Sequence, residues 1–339
     1  MKKISIEEHF ATEAYIDYLR SRRDVPKREF IEDDKGRKIE VEWWAPSNFM
    51  VIDPNLMSRL SDLNKERLRD MDESGIDMQV LSLSFPGVEL FDAADGTFWA
   101  KSINDELSEV IKKHPARFAG FASLAPQDPD VAAIELERAV KDLGLKGASI
   151  NSHIRGEYLD DQKYWVIFEK AEKLDVPIYL HPRQPSPNML KPYLTYPTLA
   201  HAMLGFAAEV SLHAMRLICS GVFDKYPNLK IILGHLGEAL PFWLWRQDTM
   251  WNRFPFTKQP QKTPSQYFKD NFFVTTSGMF WQPVLQFVYS VLGADRILFA
   301  VDYPHESNRA AVKFMEAMSV CSSDKEKIYH LSAETLLAL

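Results

Sequence analysis

Residues 176–183 read VPIYLHPR, a short apolar run that ends in a histidine and a proline. Three other strings share this form: ISIEEHF at 4–10, LKIILGHLGE at 229–238 and RILFAVDYP at 296–304. A continuous apolar run of this length suits a parallel strand buried on both faces. Each run finishes in side chains that bind metals or handle protons: Glu7 and His9, His181, His235, and Asp302. Polar groups at the C-terminal ends of several parallel strands are where a (β/α)8 barrel builds its active site.

Outward from these strings, strand-like and helix-like segments alternate. Strands are expected at 3–7, 78–84, 117–124, 146–151, 176–181, 229–235, 271–277 and 296–302. Between them, 3.6-residue periodicity predicts helices at 63–74, 98–113, 131–143, 162–174, 197–223, 240–251, 282–292 and 308–320. Gly75, Gly144 and Gly293 follow three of these helices, and Pro129 and Pro283 sit near the starts of two. Eight alternations predict an α/β fold, a (β/α)8 TIM barrel forming a single domain over 1–339. The alternative is an open doubly wound sheet. That fold would usually place a glycine-rich loop after the first strand, where EEHFAT has no glycine.

One region, about 21–57, breaks the alternation. SRRDVPKREFIEDDKGRK is followed there by VEWWAPSNF, which is long for a plain loop. It follows the first strand and is therefore expected to cover the barrel mouth. Its charges read most simply as a solvated surface. Trp43 and Trp44 either cap a small aromatic ligand or anchor the insertion or a subunit contact.

The bulk properties exclude several classes. Hydrophobic residues make up 46% of the 339, enough for a large core, and 40 basic against 47 acidic residues give a net charge of −7. No basic excess argues for nucleic acid. No charged-then-apolar leader opens the chain, and no uninterrupted apolar run approaches the roughly 20 residues of a membrane span. The reading is a cytoplasmic protein with no membrane partner. Cys219 and Cys321, the only cysteines, are too few for a disulfide framework and read as inert packing residues.

Glu7 and His9 stand two apart, so on a strand they project to one side, with Glu8 toward the surrounding shell. Alone they make a weak metal signal, and His181 or Asp302 alone could be a core histidine or a helix cap. In a closed barrel the ends of the first, fifth and eighth strands meet at one mouth, and the convergence of four metal-type side chains there is what points to a divalent-metal site. Glu238 follows His235 by three residues, which lets it hydrogen-bond the imidazole and set its tautomer. Its other reading is a first-turn carboxylate favoured by the helix dipole. Arg246, eight residues beyond Glu238, could receive a substrate carboxylate or make a surface ion pair. Asn151, Ser152 and His153 end the fourth strand and touch substrate or shape the rim. His114, His201, His213, His305 and His330 have no partner at a telling spacing and read as structural or exposed.

EEHF, HPR, GHLGEALPFWLWR and DYP together resemble the amidohydrolase superfamily, and within it the metal-dependent, non-oxidative aromatic acid decarboxylases. RDMDESGID, RFAGFASLAPQDPD, GASINSHIRGEYLD and FDKYPNLKIILGH extend the resemblance over nearly the whole chain, and the pattern GHxGExxPxxxxR from Gly234 to Arg246 is its most specific part. The resemblance implies that Glu7, His9, His181 and Asp302 hold one divalent metal ion, Zn2+ or Mn2+. It also makes His235 and Glu238 a functional pair beside the substrate, and Arg246 a carboxylate-binding or interface arginine. The Glu-x-His start is that of the resorcylate-type decarboxylases, where hydrolytic relatives typically begin His-x-His. HPRQPSP resembles the resorcylate type, while INSHIRGEYLD resembles the 5-carboxyvanillate type, so the ring substituents stay open.

The activity so implied is decarboxylation of an ortho-hydroxybenzoate to a phenol and CO2. Asp302 would be the acid that protonates the ring carbon, His235 and Glu238 its catalytic companions, and Phe10, Asn151 and Arg246 the substrate contacts. Hydrolysis of a lactone, ester or amide on the same barrel is the alternative. Family members form homodimers or homotetramers, and the aromatic stretch 242–251 is a candidate interface.

Overall fold

The computed structural model of the chain describes residues 1–253 and 260–339. The described residues form twelve strands: β1 (Ile4–Phe10), β2 (Lys27–Glu32), β3 (Lys38–Ala45), β4 (Asn48–Val51), β5 (Met78–Leu83), β6 (Phe118–Gly120), β7 (Ala122–Ser123), β8 (Ala148–Asn151), β9 (Ile178–His181), β10 (Ile231–Leu233), β11 (Phe272–Thr275) and β12 (Ile297–Leu298). Parallel ladders join β1 to β5 and β5 to β6, then run from β7 through β8, β9, β10 and β11 to β12. β6 and β7 form one barrel strand interrupted at Phe121, whose N–H donates to Leu81 O at 2.9 Å. The seam closes where Ile6 N meets Phe299 O (3.1 Å), Asp302 N meets Glu7 O (2.9 Å) and His9 N meets Tyr303 O (2.7 Å). The fold is the (β/α)8 barrel, with every expected strand region occupied.

β1 carries a feature that period-two reading misses. Its register against β5 shifts between Ser5 and Glu8. Ile4 and Ile6 pack in the barrel interior with Val80, Phe121, Tyr179, Ile232 and Leu298. After the bulge the odd residues face inward instead, so Glu7 and His9 reach the mouth while Glu8 and Phe10 turn to the outer shell. Bulges re-aim side chains in this way, often beside active sites. Glu8 is buried there, accepting from Val301 N (3.1 Å) and Tyr303 N (2.9 Å), the amides on either side of Asp302.

The segment after β1 is more organised than a solvated loop. A helix, Glu13–Ser21, is capped by Thr12 and leads into an antiparallel sheet ordered β2-β3-β4. Arg28 and Glu42, read as surface charges, form a buried ion pair at 2.5 Å, and Trp44 Nε1 also donates to Glu42. The two cysteines differ from expectation in the other direction. Both are free and exposed, Cys219 on the solvent side of the helix Gly205–Ser220 and Cys321 just before the helix Ser322–Glu326.

Pro197–Ser220 is long and apolar enough, by length and composition, to span a bilayer. The segment is not one continuous helix. Turn residues 201–204 separate its first turn from Gly205–Ser220, which buries Glu209, Val210, His213, Ala214, Leu217 and Ile218. That pattern is a barrel helix with a polar patch on its inner face.

Candidate metal centre

Glu7, His9 and His181 come together at the barrel mouth, with one ligand atom from each lying within 4.8 Å of the others. Glu7 Oε2 accepts hydrogen bonds from the hydroxyls of Tyr179, Thr275 and Ser277. Its Oε1 is buried without a hydrogen-bond partner among the described residues, as is His9 Nε2. His181 places Nε2 3.5 Å from Glu7 Oε1 while Nδ1 lies 2.8 Å from Asn151 Oδ1. Orphaned buried polar atoms are costly. Three converging lone pairs of carboxylate and imidazole type are the donor set of a divalent cation, and the residues fit one.

Asp302 sits just outside this triad. Its Oδ1 is 3.0 Å from His9 Nε2 and its Oδ2 3.8 Å from His235 Nε2, which places the carboxylate between the metal donors and a second imidazole. Its backbone has φ +80°. Gly278, at φ +59°, stands opposite, and a Cβ there would come within 3.0 Å of His235 Cδ2 and 3.6 Å of Asp302 Oδ2. Burial works to raise the pKa of Asp302. The close approach of the His235 and His9 imidazoles outweighs it and holds the group well below the usual carboxylate range.

His235 Nδ1 lies 2.6 Å from Glu238 Oε1, the bond expected from their spacing. The backbone producing it is not the start of a helix. His235 through Ala239 all have positive φ, from 50° to 82°, and the helix begins only at Leu240. Glu238 is therefore not a first-turn carboxylate. Such a run of left-handed residues is strained and persists where surrounding packing enforces it; here it folds Glu238 back onto the ring. Burial disfavours the His235 cation, but the carboxylates of Glu238, Glu7 and Asp302 prevail and push its pKa well above that of a free histidine.

Of the expected substrate contacts, Phe10 is a correction. It is fully buried and packs in the outer core with residues such as Tyr15, Leu19 and Leu81, because the alternation that sends Glu7 and His9 to the mouth puts it on the outer side. Asn151 is brought to the site, but behind His181: its Oδ1 faces His181, and its Nδ2 donates to Glu89 at 3.1 and 3.2 Å. Arg246 is exposed on the helix Leu240–Arg253 and is not joined to the cluster, since Glu238 lies outside that helix and the eight-residue spacing has no helical meaning. Trp43 contacts Phe49 within the small sheet.

Trp44 instead heads an aromatic wall. Its ring meets Phe85 (5.1 Å), His201 (5.3 Å) and Phe206 (5.8 Å). Phe85 stacks on His305 at 5.0 Å, and His305 meets His9 at 5.4 Å. Burial lowers the pKa of His305 to about 4, so it is neutral, and its Nε2 has no partner among the described residues. His305, Phe85, His201 and Glu89 were not distinguished by sequence. The only signal was the position of His305, three residues past Asp302.

Residues 42–339 match the Amidohydrolase family model. The chain is 40% identical to a gamma-resorcylate decarboxylase of Polaromonas sp., over 99% of this chain and 98% of that one. Among solved structures, a dihydroxybenzoic acid decarboxylase from Polaromonas sp., holding manganese and the inhibitor 2-nitroresorcinol, superposes with a TM-score of 0.86 at 39% identity, covering 100% of this chain and 97% of that one. A 5-carboxyvanillate decarboxylase from Sphingomonas paucimobilis gives 0.88 at 35% identity, with 100% and 99% covered.

Proposed function

This chain belongs to the amidohydrolase family, and from that premise we propose that it is a carboxy-lyase converting an ortho-hydroxybenzoate to a phenol and CO2, with a 2,6-dihydroxybenzoate as the preferred ring. The observation that carries this reading is the Asp302 carboxylate held between the Glu7–His9–His181 donors and His235. Glu7, His9 and His181 would hold one divalent ion, Mn2+ in preference to Zn2+, beside the Asp302 carboxylate. When bound, the ion supplies Lewis-acid polarisation and a template for the phenolate and carboxylate oxygens.

The protein's own groups handle the proton. Asp302, a carboxylate in the resting site, takes the proton of the substrate's ortho-hydroxyl and delivers it to the carboxyl-bearing ring carbon. The bond to the carboxyl group then breaks, its electron pair restores the aromatic ring, and CO2 departs. His235, kept cationic by Glu238, returns a proton to the product phenolate and is recharged from solvent. Trp44, Phe85 and His305 offer faces against which the ring stacks.

The test is CO2 release from metal-loaded protein given 2,6-dihydroxybenzoate, 2,3-dihydroxybenzoate and 5-carboxyvanillate. Release is expected to be fastest with the first and to stop with a chelator. Chelator-sensitive lactone or ester turnover without CO2 would establish the hydrolase instead.

The supporting observation for a homodimer is an apolar face beside the site. Phe242, Trp243, Trp245 and Trp281 are 73%, 45%, 78% and 62% exposed, and Phe242 lines, with Met279 and Phe287, a groove of about 380 Å³ that reaches His235. Exposed aromatics concentrated on one helix favour an interface, and Arg246 on the same helix would lie at its rim. Trp245→Glu is expected to shift the protein from dimer to monomer in light scattering. An unchanged mass would place the interface elsewhere.

A further inference from the structure

Glu89 is a buried carboxylate, 1% exposed, with no part in the proton steps. We propose that Glu89 is a positioning residue that sets the tautomer of His181 through Asn151; this rests on the reading of His181 as a metal ligand.

The argument follows from which groups can donate. A carboxylate only accepts hydrogen bonds. Glu89 Oε1 accepts from the backbone N–H of Asn151 at 2.7 Å and from its side-chain Nδ2 at 3.1 Å, and Oε2 accepts from Nδ2 at 3.2 Å. The amide nitrogen of Asn151 must therefore face Glu89, which leaves Oδ1 toward His181 Nδ1 at 2.8 Å. An amide oxygen facing that nitrogen requires the proton on Nδ1, and this frees the Nε2 lone pair for the metal.

The surrounding backbone is shaped for the same contact. Glu89 belongs to the loop after β5, whereas Asn151 ends β8. Gly87, at φ +67°, lets them meet, because a Cβ there would stand 2.2 Å from Glu89 Oε2 and 2.3 Å from Asn151 Nδ2. Arg183, buried in the loop after β9, ties the two loops together by donating to Pro86 O at 2.8 Å and His153 O at 3.0 Å. The three loops thus meet behind one imidazole.

Two variants test this in the full chain, read first by ¹⁵N histidine NMR of the metal-free protein and then by Mn2+ titration against a competing chelator. In the parent, His181 is expected as a single Nδ1–H tautomer. Glu89→Gln can satisfy Asn151 in either amide orientation, so His181 should become a tautomer mixture and Mn2+ affinity should fall about 10- to 100-fold. Gly87→Ala keeps the carboxylate but separates the partners, and it should give the same two changes should Glu89→Gln fail to fold. Retention of pure Nδ1–H and of parent Mn2+ affinity in both variants would overturn the proposal. A parent protein that shows the tautomer but binds no Mn2+ would instead overturn the ligand reading, because the NMR readout needs no metal.

Discussion

Asp302→Asn is expected to lower the rate of CO2 release by about 10²- to 10⁴-fold, the range supplied by a positioned general acid–base group, while leaving a folded protein that still takes up metal. Asparagine keeps the size of the side chain and one oxygen facing His9 Nε2, but it cannot accept the substrate's phenolic proton and return it to carbon. The compact triad of Glu7, His9 and His181 does not include Asp302, so metal affinity should fall only in part. The low pKa that His235 and His9 impose on Asp302 sets a further condition. The resting group is ionised, so the proton it delivers must arrive with the substrate. Turnover by the parent should accordingly fall for an analogue whose ortho-hydroxyl is methylated, and Asp302→Asn should add little to that loss. A variant retaining more than a tenth of parent activity would remove Asp302 from the proton path and shift attention to His235.

Much of this arrangement was legible in the chain because strand ends are local signals. Apolar runs that stop at His181, His235 or Asp302 fix both a strand and the rim it points to, and barrel closure supplies the rest. Glu7 and His9 were legible for the same reason, although the bulge that aims them was not, because a one-residue slip leaves the apolar count unchanged. Phe10 went wrong for a simpler reason: the alternation that sends Glu7 and His9 to the mouth puts it with Glu8 on the outer side. Glu238 was read correctly as the partner of His235 from the wrong backbone, since a run of left-handed residues has no signature beyond Gly237. What stayed illegible depends on tertiary contact between distant loops. Glu89 touches Asn151 across 62 positions, and the Trp44–Phe85–His305 wall draws on three separate segments.

Glu7→Gln is expected to separate metal binding from folding, with opposite effects on the two. Glu7 Oε2 keeps its hydroxyl donors if the amide oxygen takes that place, so the barrel should close as before. Burial raises the pKa of Glu7 above its ordinary 4.5; Asp302 adds to that, while His235 and His9 oppose it. A carboxyl raised in this way costs nothing below its unfolded pKa, where both states are neutral. As pH climbs from there through the raised value, the unfolded state ionises first and stability is lost. Metal-free Glu7→Gln escapes that loss. It should be at least as stable as the metal-free parent at neutral pH, with a flatter dependence on pH above the ordinary carboxylate range. Asp302 keeps its own contribution, of opposite sign, which fades as pH falls into the acid range. Adding Mn2+ should reverse the order. At a thousandfold excess over Kd, binding to the native state alone stabilises the parent by about 4 kcal/mol, whereas the amide NH2 left in the place of Oε1 offers the metal no lone pair and the variant should gain little. Thermal melts of both proteins with chelator and with Mn2+ check this directly. Equal metal-induced shifts would remove Glu7 from the metal site. A metal-free variant far less stable than the parent would make Glu7 a structural carboxylate held by Tyr179, Thr275 and Ser277 for the fold itself.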